Sequence, residues 1–297
     1  MRVFVTGGHG FVGAHLLDHL HACGDEVVAP HQAEIDLDDR DTLIAAIVRA
    51  APDAVIHLAA LAHVGESWAD PGRTFNVNAV GTLHMLEAAR RVTPLPRVLL
   101  VGSAEVYGPV QPDEVPLSEE HPLNPVTPYA ASKVAAEFLG KQYHAGFGVP
   151  VIRSRSFNHI GPGQASRFLV ADIAGRIADA MKTGSDDPIL VGNLTTQRDY
   201  TDVRDVVRAY RMLVTDGVPG EVYNVCSGVA VSGEMMAERM FELAEVQLRV
   251  EVDPTLVRPV DVPVLVGDNS RLRAATGWQP EIPLDQTLRD VLAALLK

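Results

Sequence analysis

Tyr129 and Lys133 stand four residues apart in Pro128-Tyr129-Ala130-Ala131-Ser132-Lys133, a spacing that puts a phenol and an ammonium on one face of a helix. Such a pair can exchange a proton with a ligand, because the positive charge favours phenolate and draws the tyrosine's pKa toward the working range. A solvated helix face can carry the same two residues, so a third group has to converge on them. Ser103, in Gly102-Ser103-Ala104-Glu105-Val106-Tyr107-Gly108, follows an apolar run. That places it at the carboxyl end of a strand, where open parallel sheets bind ligands, and its hydroxyl can hydrogen-bond a substrate oxygen. Glu105 is a base, a partner for substrate hydroxyls or a plain strand-end carboxylate.

A glycine-rich segment says what the three groups could surround. Thr6-Gly7-Gly8-His9-Gly10-Phe11-Val12-Gly13 follows the first apolar run and opens the first amphipathic one. Glycines at 7, 10 and 13 serve a tight turn, close approach of a pyrophosphate to backbone N–H groups, and close helix packing. Strand, loop and helix in that order predict a dinucleotide site, with Gly7, Gly10, Phe11 and Val12 against the cofactor. A nicotinamide's positive charge would add to that of Lys133 in favouring phenolate, and Lys133 can also hydrogen-bond the nicotinamide ribose. An acid after the second strand would select NAD and an arginine NADP. Ala29-Pro30-His31-Gln32 offers neither, with Glu34 and Asp36 soon after, so NAD and NADP both stay open. Asp36 and Leu37 are expected beside the adenine.

The elements that must position these residues alternate as strands and crossover helices. Strands are predicted at 3–6, 26–29, 54–58, 97–102, 149–157 and 221–225, and helices at 12–22, 39–50, 75–91 and 128–146. Beyond Asn158 a Gly/Pro loop leads to helices at 168–181 and 201–216, then to helix, short strand, Pro-rich loop and terminal helix. The expected fold is α/β, a Rossmann-like doubly wound parallel sheet with a smaller discontinuous C-terminal substrate domain. Residues 1–158 and 198–227 form the dinucleotide-binding part, and 159–197 and 228–297 the substrate part. There is no internal repeat or low-complexity tract.

The bulk numbers are compatible. At 297 residues, 47% hydrophobic and 21% charged, the chain can bury a full core. A net charge of −13 disfavours nucleic acid or an anionic membrane as partner, while local arginines can still hold a diphosphate. The two cysteines, Cys23 and Cys226, suit a reducing compartment as buried free thiols. Met1 runs straight into Arg2-Val3-Phe4-Val5, with no export signal or membrane-length apolar run, which predicts a cytoplasmic protein. His15, His19 and His21 lack companion carboxylates or cysteines, so no metal is expected.

The glycine loop, His57-Leu58-Ala59-Ala60, Ser103 and Tyr129-x-x-x-Lys133 together resemble the extended short-chain dehydrogenase/reductase family, the NAD-dependent epimerases and dehydratases, over nearly the whole chain. The resemblance implies a nicotinamide cofactor touching Leu58, Ala59, Ala60 and Phe157. It gives Asn78 a structural, cofactor-supporting role and puts a nucleotide sugar against the C-terminal region. Segments 155–164, 191–194 and 197–203 resemble the GDP-mannose 4,6-dehydratase group, and segments 223–228, 258–263 and 276–280 its GDP-4-keto-6-deoxy-mannose reductase relatives. By that likeness Asn158, Arg198 and Arg258 contact the sugar-nucleotide diphosphate and Asp261 the nucleotide ribose. His63 and Val64 line the sugar pocket, or His63 only caps its loop. The helices 75–91 and 128–146 pair with a second subunit's copies as a four-helix bundle, making a homodimer, unless their faces are consumed by the protein's own sheet.

Within that family a dehydratase needs an acid for the departing C6 hydroxyl, usually Asp or Ser where this chain has Ala104, and a methyl group cannot serve. The resemblance therefore implies reduction of GDP-4-keto-6-deoxy-D-mannose to a GDP-6-deoxy-hexose, GDP-D-rhamnose or its C4 epimer, by NAD(P)H. The alternatives are GDP-mannose 4,6-dehydration, another nucleotide-sugar epimerase or dehydratase, and a non-catalytic dinucleotide sensor.

Overall fold

Each short apolar run becomes a strand with its side chains split between two helix-covered faces. The computed structural model describes residues 1–31, 33–256 and 262–296. The large sheet contains β1 (Arg2–Thr6), β2 (Glu26–Val28), β3 (Ala54–His57), β4 (Arg97–Ser103) and β5 (Val151–Ser156). Its crossovers are α1 (Phe11–Ala22), α2 (Arg40–Ala50), the short α3 (Val64–Ala69) and α4 (Pro71–Phe75), α5 (Gly81–Ala89) and α6 (Pro128–Phe147). Three short strands follow, β6 (Asn158–Ile160), β7 (Ile189–Val191) and β8 (Gln197–Asp202), with α7 (Leu169–Thr183) and α8 (Val203–Asp216), before β9 (Val222–Val225) returns. The chain ends with β10 (Ala230–Ser232), α9 (Gly233–Ala244), β11 (Val250–Val252), β12 (Val264–Leu265), α10 (Ser270–Thr276) and α11 (Leu284–Leu295).

The six strands run in the order β2-β1-β3-β4-β5-β9, all parallel. The order reverses beside β1, which opens a crevice at the strands' carboxyl ends. Val3 and Val5 pack with Leu16, Val206 and Tyr210 on one face, and Phe4 packs with Leu43, Ile47 and Met85 on the other. Thr6 pairs with His57, and β4 continues three residues past His57's partner Leu100, so Ser103 projects over the crevice.

Three sequence boundaries shift for physical reasons. The helix expected at 75–91 is α4, a π turn at Asn76–Val80, and α5. The helix expected at 201–216 begins at Val203, because Thr201 and Asp202 pair with His159 and Ile160 of β6 and Asp202 caps α8. The strand expected at 149–157 is confined to Val151–Ser156. Two small sheets, β10-β8-β12 with β6, and β11-β7, join α7, α9 and α11 around a second core that includes Ile173, Ile177, Met236, Met240 and Leu288. β8 thus lies in a small sheet, although it heads the expected segment 198–227. Near the C-terminus, Leu272 and Trp278 pack into the core of the large sheet. Among the described residues no helix is long and apolar enough to cross a membrane.

Candidate active site

The glycine loop is built for close approach. Gly7 has φ +74°, and a Cβ there would stand 2.8 Å from Ala59 N, so β1 and the end of β3 touch backbone to backbone. A Cβ on Gly13 would stand 2.3 Å from Gly7 O, which lets α1 press onto the loop. Gly10 caps α1 without a side-chain bond, and a Cβ on it would meet only Gly7 O at 3.5 Å. The open face of Gly10, beside the unbonded N–H groups of a helix start, fits a dinucleotide's pyrophosphate. Phe11 lies edge-on to His15 and faces His159, and Val12 is half-buried beside it. At the tip of β2, His31 stacks on His9 at 3.5 Å, and His31 N donates to Glu34. Asp36 accepts from Asp38 N, while Leu37 is pinned to α5 through His84 and Gly81.

Across the crevice Thr127 caps α6, its hydroxyl accepting from Ala130 N at 3.0 Å with Pro128 in the first turn. That sets Tyr129 in the same turn, buried and close to the Ser103 hydroxyl. Burial pushes the Tyr129 phenol up to about 12, the nearby Ser103 hydroxyl pulls it down, and the Glu105 charge adds to the rise. Without a dinucleotide, then, the tyrosine's pKa is raised; the fall expected from the sequence depends on the nicotinamide's charge as well as that of Lys133. Lys133 Nζ donates to Val101 O at 2.9 Å and lies 6.0 Å from the Tyr129 ring, and its own burial lowers it to about 8. Desolvation dominates both shifts. Ala104 is buried beside Ser103, and Glu105, half-buried, donates its N–H to Ser103 Oγ at 3.2 Å.

The structure brings Ser103, Tyr129, Lys133 and Glu105 together at the carboxyl end of β4. Leu58 packs on the sheet core, and Ala59 N donates to Thr6 Oγ1 at 3.3 Å, with Ala60 following. Asn78 is buried: its Oδ1 accepts from Leu61 N at 2.8 Å, and its Nδ2 donates to Leu61 O and Ser132 Oγ. The ring of Phe157 packs into a core with Tyr107, Cys226 and Leu265. His63 caps α3 by accepting from Glu66 N at 3.1 Å, next to Val64, and also meets Phe168 edge-on at 5.8 Å. Asn158 is exposed on β6. Arg198 is buried and donates to Gln197 O and Val262 O. Arg258 and Asp261 lie outside the described residues. Cys23 is exposed, not buried as expected, and Cys226 is buried.

Sequence reading missed the supports of the site. Arg155 grips Glu137 through Nε and Nη2 at 3.0 and 2.7 Å and donates to Tyr107 Oη, which donates to Asn224 Oδ1. Tyr107 ends the turn that carries Ser103 and Glu105. The signal was available in Arg153-Ser154-Arg155-Ser156, a polar alternation inside a strand that must be buried. Among the described residues no group of histidine, cysteine and carboxylate side chains is arranged to hold a metal.

The comparisons agree with this geometry. A family model described as GDP-mannose 4,6 dehydratase matches residues 29–291. The chain belongs to the GDP-mannose 4,6-dehydratase family. Within this family and its relatives it is 39% identical over 293 residues to the GDP-6-deoxy-D-mannose reductase of Pseudomonas aeruginosa, covering 98% of this chain and 96% of that one. It is 31% identical to the GDP-mannose 4,6-dehydratase of Sinorhizobium fredii, covering 88% and 78%. The solved structure of RMD from Pseudomonas aeruginosa complexed with NADPH superimposes with a TM-score of 0.92 at 39% identity, covering 99% of this chain and 98% of that one. The fold is that of the extended short-chain dehydrogenases.

Proposed function

We propose that this enzyme reduces GDP-4-keto-6-deoxy-D-mannose to a GDP-6-deoxy-hexose, GDP-D-rhamnose, using NAD(P)H. The observation that carries the reading is Ala104, a buried methyl group beside Ser103 where dehydration would need an acid. Gly7, Gly10, Phe11 and Val12 hold the dinucleotide's pyrophosphate, with Asp36 and Leu37 toward the adenine and Leu58, Ala59, Ala60 and Phe157 along its length. When bound, the dinucleotide supplies a hydride to C4. Ser103 and Tyr129 hydrogen-bond the C4 carbonyl oxygen, and the Tyr129 phenol donates the matching proton, so the ketone becomes an alcohol. Lys133, supported from Val101 O, orients the nicotinamide ribose and favours the resulting phenolate. Asn158, Arg198, Arg258 and Asp261 take the nucleotide diphosphate and ribose, and His63 and Val64 border the sugar. In this division residues 1–158 and 198–227 serve the dinucleotide, and 159–197 and 228–297 the sugar nucleotide.

Incubation with GDP-4-keto-6-deoxy-D-mannose and NADPH or NADH should oxidise one dinucleotide per sugar. No oxidation of either would reject the reading. Glu105 supports a second one, 4,6-dehydration, since a carboxylate at this edge is a base for C5. That reaction would convert GDP-mannose with no net change in the dinucleotide.

The enzyme acts as a homodimer in the cytoplasm. Phe75 and Phe138 are 46% and 53% exposed and open an apolar groove of about 420 Å³ with Ala79, Leu83 and Leu139, an α5/α6 face suited to a four-helix bundle. Sedimentation should report a dimer that Phe138→Glu dissociates; a monomeric wild type would remove the bundle. The two free cysteines suit a reducing compartment.

A further inference from the structure

Buried polar groups link the glycine loop to the catalytic helix, joined at Asn78 through its backbone carbonyl on one side and its side chain on the other, and each proton on the path has one place. Thr82 Oγ1 donates to Asn78 O at 2.6 Å, so toward His57 Nε2, 3.1 Å away, it offers only lone pairs. Nε2 therefore carries the imidazole proton. His57 is buried, and that burial, with the nearby Lys133 charge, lowers its pKa to about 3 and keeps the ring neutral. Nδ1 is then an acceptor, and Thr6 Oγ1 donates to it at 2.7 Å. Thr6 Oγ1 in turn accepts from Ala59 N, the backbone against which Gly7 is pressed. From Asn78 the path continues through Nδ2 to Ser132 Oγ at 2.9 Å, and Ser132 donates to Tyr129 O at 2.7 Å.

Buried polar chains of this kind stabilise only when every member is satisfied, and then they fix one arrangement of the elements they join. Here the elements are the end of β1, which begins the pyrophosphate loop, and the first turn of α6, which carries the proton donor. The π turn at Asn76–Val80 lies at the midpoint. Such turns are frequent at functional sites.

We infer that Thr82, His57 and Ser132 are positioning residues that fix the separation between the dinucleotide-binding loop and the Tyr129 phenol. The inference rests on the proposed function in so far as Tyr129 is the proton donor. It makes no claim about which sugar is bound.

Thr82→Val keeps the side chain's shape and cuts the chain at its centre, Thr82→Ser keeps the hydroxyl, and Ser132→Ala cuts the chain near Tyr129. Thr82→Val should slow single-turnover oxidation of NADPH by the keto-sugar about tenfold or more while NADPH affinity changes far less. Thr82→Ser should restore the rate. Ser132→Ala should slow the reaction too, with the double variant little worse than either single one, as for residues of one chain. A second readout needs no sugar. Binding of NADP⁺ brings a positive ring to Tyr129 and should move the phenolate absorbance, assigned against Tyr129→Phe, to lower pH; Thr82→Val should diminish that shift. If the valine and alanine variants lose thermal stability yet keep the wild-type rate and the full titration shift, the chain is merely structural and the inference fails. A wild type that shows the titration shift but reduces no keto-sugar would sink the substrate reading and leave the positioning role standing.

Discussion

Lys133 keeps its ammonium buried at a cost in stability, and Lys133→Met should expose that cost. In the folded protein burial lowers its pKa to about 8 from the 10.5 of an unburied lysine. At about 1.4 kcal/mol per pKa unit, retaining the charge costs about 3 kcal/mol at neutral pH. Methionine occupies nearly the same volume without a charge but abandons the hydrogen bond to Val101 O, a loss of about 1 kcal/mol. The variant should therefore be more stable than the wild type by about 2 kcal/mol near pH 7. The sign with pH is fixed. Below about 8 folded and unfolded lysine are both protonated and the cost is complete; as pH rises toward 10.5 the unfolded chain holds the extra proton and the wild type gains stability relative to the variant. Urea unfolding followed by tryptophan fluorescence at several pH values measures the gap directly. It should shrink steadily above about pH 8, while the variant's turnover falls at least about a hundredfold. A methionine variant less stable than the wild type near neutrality, or a gap indifferent to pH, would refute the account of Lys133 as a strained buried cation.

Other outcomes follow from single contacts. Tyr129→Phe should lower kcat about 10²- to 10⁴-fold with dinucleotide affinity almost unchanged, as read by NADPH fluorescence titration; equal losses in both would mean that the phenol only packs. Gly10→Val fills the open face of the loop, and since its Cβ makes an ordinary 3.5 Å contact with Gly7 O, it should abolish dinucleotide binding with little change in Tm. Arg155→Met leaves the Glu137 carboxylate buried with only Arg153, 3.6 Å away, in place of its forked partner and should cost about 2–4 kcal/mol in urea unfolding. A loss below about 1 kcal/mol would show the pair to be solvated.

The sheet and the convergence of Ser103, Tyr129 and Lys133 were legible because each has a local signature. The 7, 10, 13 glycines, the four-residue step from Tyr129 to Lys133 and the strand-end Ser103 all follow from backbone geometry. Less legible was whatever depends on who faces whom across the fold. His57, the last residue of Ala-Val-Ile-His, looked like a motif letter until its two ring nitrogens were seen to join Thr6 and Thr82, residues that sit 76 positions apart by their numbers. The π turn that breaks the helix expected at 75–91 has no compositional mark, since Asn76-Val77-Asn78-Ala79-Val80 continues an ordinary amphipathic run. The burial of Tyr129 was illegible for a related reason: the sequence shows a neighbouring ammonium but not the desolvation that raises the phenol in the absence of a dinucleotide.

A phenol pushed up to about 12 holds its proton at neutral pH, which is the state a ketone reduction requires of its donor at the start of the turnover. Oxidation of an alcohol, the opening step of a dehydratase, requires the deprotonated form instead. The reduced nicotinamide ring is uncharged, so loading the enzyme with NADPH brings no cation to Tyr129 and leaves the proton in place. The oxidised ring is positive, so a dinucleotide retained in that form would favour phenolate. The same buried phenol can thus be an acid toward one form of the dinucleotide and approach a base toward the other. Ala104 offers no acid for the C6 elimination of a dehydratase, and a protonated Tyr129 is compatible with the reductive reading.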